Sequence, residues 1–393
     1  MSKIVFLTSR FPFPLDKGDK LRAFFQLQGL SKDNEIHLIA INENSFTKAQ
    51  LDALAPYCAS IQVFTIPLYK RIFSIIKSVG NGLPLQVAYF YCKNTHRTIE
   101  DIIKKIQPDV IHCHLIRTTE YIKNISSIPK SLDFMDAFAL GMDKRASREK
   151  NSLKKWLWQY ERDRLYTYEK NILPYFQSYC SISEQDSKAI SPTTKIHTVA
   201  NGVDTAIFQP KKKVQKYDVV FMGNMSYAPN IDAAHFIGQE LLPVLLTHCP
   251  DIRILIAGME PPNSVRKLQG KNIDIVDYFE DISDAIALSK IMIAPMFMSI
   301  GLQNKIVQAM AMKVPCIVTT AANNAIQAPI HTTILEANTP QEFSSSIKKL
   351  LENKTLSTTL GENGYEFVQK NFTWAQQTLL LKKVIQEAAD ANN

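Results

Sequence analysis

Short continuous apolar runs alternate along this chain with stretches whose apolar residues recur every three or four positions. A bounded apolar run of four to eight residues predicts a strand covered on both faces. A 3.6-residue period predicts a helix with one face in a core. Lys3 to Thr8 predicts the first strand, and a loop with Pro12, Pro14 and Gly18 follows it. A helix is predicted to start near Asp19, with Asp19 as its N-cap and Leu21, Phe24, Phe25, Leu27 and Leu30 at helical spacing. Glu35 to Ile41 predicts the next strand, so the chain begins with a parallel crossover unit. Further strands are predicted from Ile61 to Ile66, Asp109 to His114, Ser131 to Met135, Ser178 to Ile182 and Lys195 to Val199.

Pro210 and the run Lys211-Lys212-Lys213 predict an exposed linker between about 200 and 216. A second series then begins. Its strands are predicted from Asp218 to Met222, Ile252 to Ala257, Asn272 to Val276, Ile291 to Ala294 and Pro315 to Thr319. Alternating strands and helices predict a doubly wound parallel sheet, here twice over. The expected domains are 1–205 and 206–373. A last helix, 374–393, carries Leu379, Leu380, Leu381, Val384 and Ile385 and is expected to pack back on the first domain. Ligands in such folds bind outside the carboxyl ends of the strands, here in a central cleft that the two domains face.

Composition narrows the class. The chain has 393 residues, 46% hydrophobic and 21% charged, so either half can bury its own core. This excludes a disordered tail, a collagen-like chain and a disulfide mini-scaffold. No apolar run reaches the roughly 18 residues of a membrane span. The opening stretch is too short for a signal peptide, which leads to an expected cytoplasmic location. Six scattered cysteines without Cys-x-x-Cys spacing are expected to be reduced thiols. His112-Cys113-His114 does not predict a metal site, since on a strand Cys113 points away from both histidines. Charge is unevenly spread: residues 1–200 hold 28 Lys/Arg against 19 Asp/Glu, whereas 201–393 hold 17 against 18. The first half is therefore expected to face an anionic partner.

Four stretches carry candidate chemistry. Ile196-His197-Thr198-Val199-Ala200-Asn201-Gly202-Val203-Asp204, with Phe208 and Pro210, places a tight Asn-Gly turn at the junction. Gly223-Asn224 follows the first strand of the second series and precedes a helix, where backbone amides favour an anion. Gly301-Leu302-Gln303-Asn304-Lys305 leads into a helix carrying Gln308, so amides and the Lys305 charge can meet phosphate. At the front, Arg10-Phe11-Pro12-Phe13-Pro14 and Asp16 to Arg22 form a loop in which Gly18 permits close backbone approach. Asp109-Val110-Ile111-His112-Cys113-His114 and Asp133-Phe134-Met135-Asp136 end strands, directing His114 and Asp136 to the cleft.

Together these stretches resemble the retaining, family-4 glycosyltransferases of the GT-B fold, most nearly an exopolysaccharide-associated subset. The resemblance implies two Rossmann-like domains, transfer with retention from a nucleotide-diphosphate sugar, no cofactor and no metal. It also implies a catalytic role for His114, and Asp136, pointing into the same cleft mouth from its strand end, is the second catalytic candidate. Gly18, Gly223, Asn224, Gly301, Leu302, Gln303, Lys305 and Gln308 would bind the donor. The chain departs from the family where an Arg is replaced by Asn224 and where two glutamates fall on Ile300 and Gln308. These departures keep two alternatives open: a catalytically weak or inactive subunit of a glycan-assembly complex, and a nucleotide-sugar epimerase of the same fold.

Two stretches mix cations with large apolar residues: Tyr69 to Lys77, and Lys144, Arg145, Arg148, Lys154, Lys155 and Trp156. Such mixtures suit an anionic bilayer interface, and the second set is expected to face the membrane. No nucleic-acid recognition motif is present, so the expected partners are the nucleotide sugar, a glycan or lipid-linked acceptor, and the inner face of the cell membrane as a peripheral surface.

Overall fold

The computed structural model describes residues 1–43, 46–297 and 302–391. The chain divides into two compact units. One comprises Met1–Ala200 and Gln377–Asn393, and the other comprises Asn201–Gln376.

The first unit is a seven-stranded, all-parallel sheet in the order β3-β2-β1-β4-β5-β6-β7. Its strands are β1 (Lys3–Thr8), β2 (Glu35–Asn42), β3 (Ser60–Thr65), β4 (Val110–His114), β5 (Lys130–Met135), β6 (Ser178–Ser181) and β7 (His197–Thr198). The reversal of order between β1 and β4 is the switch point of a doubly wound sheet. One core covers the face of Val5, Leu7, Ile39, Ile111, Leu132 and Phe134. A second covers the face of Ile4, Phe6, Leu38 and Val110. Burial on both faces is why the central strands are largely apolar.

The Trp374–Asp390 helix belongs to that second core through Leu381, Val384, Ile385 and Ala388. Ser178 Oγ donates to the Val384 carbonyl at 2.7 Å, and Lys195 and His197 both meet Glu387.

The second unit is a six-stranded parallel sheet in the order β10-β9-β8-β11-β12-β13. Its strands are β8 (Tyr217–Met222), β9 (Ile254–Ala257), β10 (Ile273–Val276), β11 (Ser289–Ala294), β12 (Cys316–Val318) and β13 (Leu335–Glu336). β13 was not expected from the sequence, because two residues carry no period. Lys211 and Lys213 lie before β8 but are not free. Lys211 meets Asp281 at 2.5 Å and Asp284 at 3.1 Å, and Lys213 meets Asp284 at 2.7 Å.

Leu381 is fully buried among first-unit side chains. Leu381→Ala should therefore destabilise the protein by about 2–5 kcal/mol, the usual cost of a core cavity. Chemical denaturation of the full chain measures it, and a change within experimental error would separate this helix from the first core.

Candidate functional site

Each unit presents its own polar constellation beyond the carboxyl ends of its strands. In the first, β1, β4 and β5 lie side by side, pairing Thr8 with His114 and His114 with Asp133. Asp133 is fully buried and accepts from Arg22 at 2.7 and 3.1 Å, from Gln26 at 2.8 Å and from the Met135 amide at 2.9 Å. Burial opposes its ionisation, but the Arg22 guanidinium outweighs burial and holds the carboxyl well below the usual carboxylate range. Leu115 and Met135, just after β4 and at the end of β5, have φ of 71° and 58°. Such backbone is costly for branched or bulky residues and is held here by surrounding bonds.

His114 is buried, its Nδ1 3.5 Å from Thr8 Oγ1 and its Nε2 without a protein partner. Burial lowers it to about 4, so the ring is neutral at physiological pH. Its Nε2 is enclosed rather than open to solvent. Asp136 is only partly enclosed. Burial, and next the Asp186 carboxylate, push it up to about 7. Asp186 itself is occupied, accepting from the Ala137 amide at 3.0 Å and from Ser183 Oγ.

Asp19 does not cap the first helix, Gly18–Leu30, whose N-cap position is Lys17. Its carboxylate instead meets Arg10 at 2.5 Å and Arg117 at 3.6 Å. Two guanidiniums attract it more strongly than a single helix amide does. Arg117 also lies over the Phe138 ring at 4.8 Å and the Phe90 ring at 5.4 Å. Gly18 opens the helix, and an added Cβ there would make only ordinary contact with Met135, so the chain itself does not require glycine. His112 hydrogen-bonds Ser131 at 2.8 Å, while Cys113 lies in the opposite core. Among the described residues no His, Cys, Asp and Glu cluster could hold a metal ion.

In the second unit Gly223 and Asn224 follow β8. A Cβ on Gly223 would sit 2.6 Å from the Asn230 side chain, so glycine admits that side chain. Asn230 Nδ2 donates to the Asn224 carbonyl at 2.7 Å, and Asn224 Oδ1 accepts from the Ser226 amide at 2.8 Å. Lys305 is the second residue of the Asn304–Ala311 helix. Its ammonium donates to Asn230 Oδ1 at 2.6 Å and lies 4.6 Å from the Phe221 ring centroid. Burial lowers it to about 7. Leu302 and Gln303 are buried beside it, Asn304 Oδ1 is buried without a protein partner, and Gln308 is half-buried. Gly301 and Ile300 lie outside the described residues. The structure thus brings Gly223, Asn224 and Lys305 together through Asn230, a residue to which the sequence alone assigned no role. Arg10, Arg22, Asp133 and Arg117 were likewise not assigned roles. Arg10 and Arg117 carry a signal in the sequence, a charge just after a predicted strand end, whereas Arg22 and Asp133 carry none.

The expected membrane-facing residues fall on the helices Phe138–Arg148 and Ser152–Asn171. Arg145, Lys154 and Lys155 are exposed, Lys144 is half-buried, and exposed Trp156 stacks on Tyr160 at 5.4 Å. The Arg148 side chain lies outside what is described.

The Asp136 carboxyl has a consequence for stability. Between about pH 4 and pH 7 the unfolded chain has released this proton while the folded chain still holds it. The folded state then binds more protons, and stability falls as pH rises through that window. Asp136→Asn should remove that loss, gaining about 1–3 kcal/mol at about pH 8 relative to about pH 5. Urea denaturation at both pH values decides it, and parallel profiles for the two proteins would remove the shift.

Residues 216–353 match the family described as "Glycosyl transferases group 1". A 143-residue stretch is 28% identical to an uncharacterized glycosyltransferase of Methanocaldococcus jannaschii, covering 34% of this chain and 36% of that protein. Over 95% of this chain and 97% of its own length, an uncharacterized 44.6 kDa protein in the cps region of Klebsiella pneumoniae is 22% identical. Among solved structures, sucrose-phosphate synthase from Thermosynechococcus elongatus superposes with a TM-score of 0.69 at 14% identity, over 99% of this chain and 100% of that one. Anabaena HepE in complex with UDP and glucose does so with a TM-score of 0.66 at 13% identity, over 98% and 100%. The fold is therefore the GT-B fold of two Rossmann-like units, and it is within the second of them that the chain matches the glycosyl transferases group 1 family.

Proposed function

We propose that the protein transfers a sugar from a nucleotide-diphosphate donor to a lipid-linked glycan in polysaccharide biosynthesis, with retention and without a metal. The observation that carries this reading is the Lys305–Asn230–Asn224 assembly at the start of the Asn304–Ala311 helix. A buried amine lowered to about 7 beside helix-start amides is suited to a ligand that brings its own negative charge. A diphosphate would supply that charge, protonate Lys305 fully and disperse the charge of the departing nucleotide. HepE, solved with UDP and glucose, supports UDP-sugars as the first donors to test. The full-length similarity to a cps-region protein supports the polysaccharide context.

In the first unit, Asp136 can exchange a proton near neutral pH, as an acid–base group must. The neutral His114 ring has an unused nitrogen, though its enclosure requires local movement before substrate could meet it. Gln308 in place of a glutamate favours a second reading, a donor-binding subunit with little turnover. Titration with UDP-sugars followed by a transfer and hydrolysis assay separates the two. Binding with turnover supports the enzyme, binding alone supports the subunit, and no binding overturns both. Interconversion of the free nucleotide sugar would identify an epimerase instead.

Lys305→Ala should weaken donor binding by about 1–3 kcal/mol. In the unmutated protein, affinity should be greatest below about pH 7, where the amine is already charged, and fall as pH rises above it. Calorimetric titration in buffers of different ionisation enthalpy should register proton uptake near neutral pH. An unchanged affinity in the variant would remove Lys305 from the site.

Gln308→Glu should preserve or improve donor affinity, since a carboxylate accepts from a ribose diol more strongly than an amide does. The same titration tests it. Abolished binding with an unchanged melting curve would show that this helix meets the donor differently.

A further inference from the structure

The Leu68–Asn81 helix of the first unit is built inside out. Arg71 and Ser78, seven residues apart and so on one face, are buried. Arg71 donates to the Asn42 carbonyl at 2.7 Å and to the Tyr89 hydroxyl at 3.0 Å. Arg164 donates to the carbonyls of Ser78, Val79 and Leu83 and fastens the C-terminal end. Polar bonds thus secure the helix, while its apolar residues face outward. Tyr69 and Phe73 are each 68% exposed, Ile76 is 65% exposed, and Leu68, Ile72 and Val79 are exposed beside them. Positions 68, 72, 76 and 79 form one stripe, with 69 and 73 alongside. A contiguous apolar face of this kind marks an interaction surface.

Beside the stripe runs a groove of about 780 Å³, whose lining includes Tyr69, Phe73, Lys70, Lys77 and Lys93. Its acidic lining residue, Glu120, is engaged by Lys123 at 2.7 Å and by the Tyr168 hydroxyl at 2.8 Å. Three ammonium groups therefore border the apolar face against one occupied carboxylate. A two-fold contact between copies would bring these lysines toward their own images. A sheet of lipid phosphates over acyl chains matches both the apolar stripe and its cationic border.

We propose that the Leu68–Asn81 helix lies in the interface of an anionic bilayer. Phe73, Ile76 and their neighbours enter the acyl boundary, and Lys70, Lys77 and Lys93 meet lipid phosphates. Docking then centres on this helix rather than on the lysines between 144 and 155. It requires no donor.

The test is co-sedimentation of the full chain with phosphatidylglycerol–phosphatidylcholine vesicles and with phosphatidylcholine vesicles. The unmutated protein should bind the anionic vesicles, less so at high salt, and scarcely bind the neutral ones. Phe73→Gln with Ile76→Gln should weaken that binding roughly tenfold or more while the melting curve stays unchanged. Leu68→Gln with Ile72→Gln, on the same stripe, should act likewise. Undiminished binding by both pairs, release only on charge reversal of Lys144, Arg145, Lys154 and Lys155, or no binding by the unmutated protein overturns the proposal. So does a lipid-free dimer, seen by sedimentation equilibrium, that the same substitutions dissociate. UDP-sugar titration of the Phe73→Gln/Ile76→Gln protein should match the unmutated protein, so loss of docking and loss of donor binding are read separately.

Discussion

A buried ion pair holds the first unit's working end in place. Arg22 on the first helix and Asp133 on β5, 111 positions apart in sequence, are both fully excluded from water. The desolvation cost of such a pair is comparable to its attraction, so its main contribution is geometric. It pins the helix over the carboxyl end of β5 and fixes the Met135 amide against the same carboxylate. The chain then turns through a left-handed residue and presents Asp136. The pair also acts on the nearby histidines. Burial lowers both His112 and His114 and decides the outcome, while Asp133 raises both and Arg22 lowers both.

The second unit relies on close backbone approach instead. A Cβ on Gly258 would lie 1.8 Å from the Gly223 carbonyl oxygen, so the turns after β8 and β9 touch directly. That contact and the Asn230 side chain leave Lys305 a neutral amide and an aromatic face as neighbours. An amine so placed ionises less readily than an exposed lysine, whereas the guanidiniums of the first unit remain charged throughout.

The sheets were legible because parallel strands buried on both faces must be apolar, and most strand ends fall within two residues of the apolar runs. The GT-B fold followed from the same runs together with the resemblance. Pairings across long sequence distances were not legible. Nothing near Arg22 points to Asp133, and Asp19 looks like a cap until Arg10 and Arg117 are placed beside it. Periodicity also cannot tell which face of a helix is buried. From Tyr69 to Lys77 the mixture of cations and apolar residues suggests an interface, but that the apolar side faces outward is shown only once Arg71 and Arg164 are seen to fasten the other side.

The route of the chain has a consequence for the order in which the protein is assembled. The second unit is contiguous, whereas the first is discontinuous and takes its last core residues from beyond position 376. During synthesis from the amino end, the strands β1 to β7 emerge first. The slot for Leu381, Val384 and Ile385 then stays open while the whole second sheet is made. An early-synthesised sheet with an uncovered apolar slot is prone to aggregate, and the last helix acts as the latch that ends that exposure. The unit translated first is therefore the one completed last.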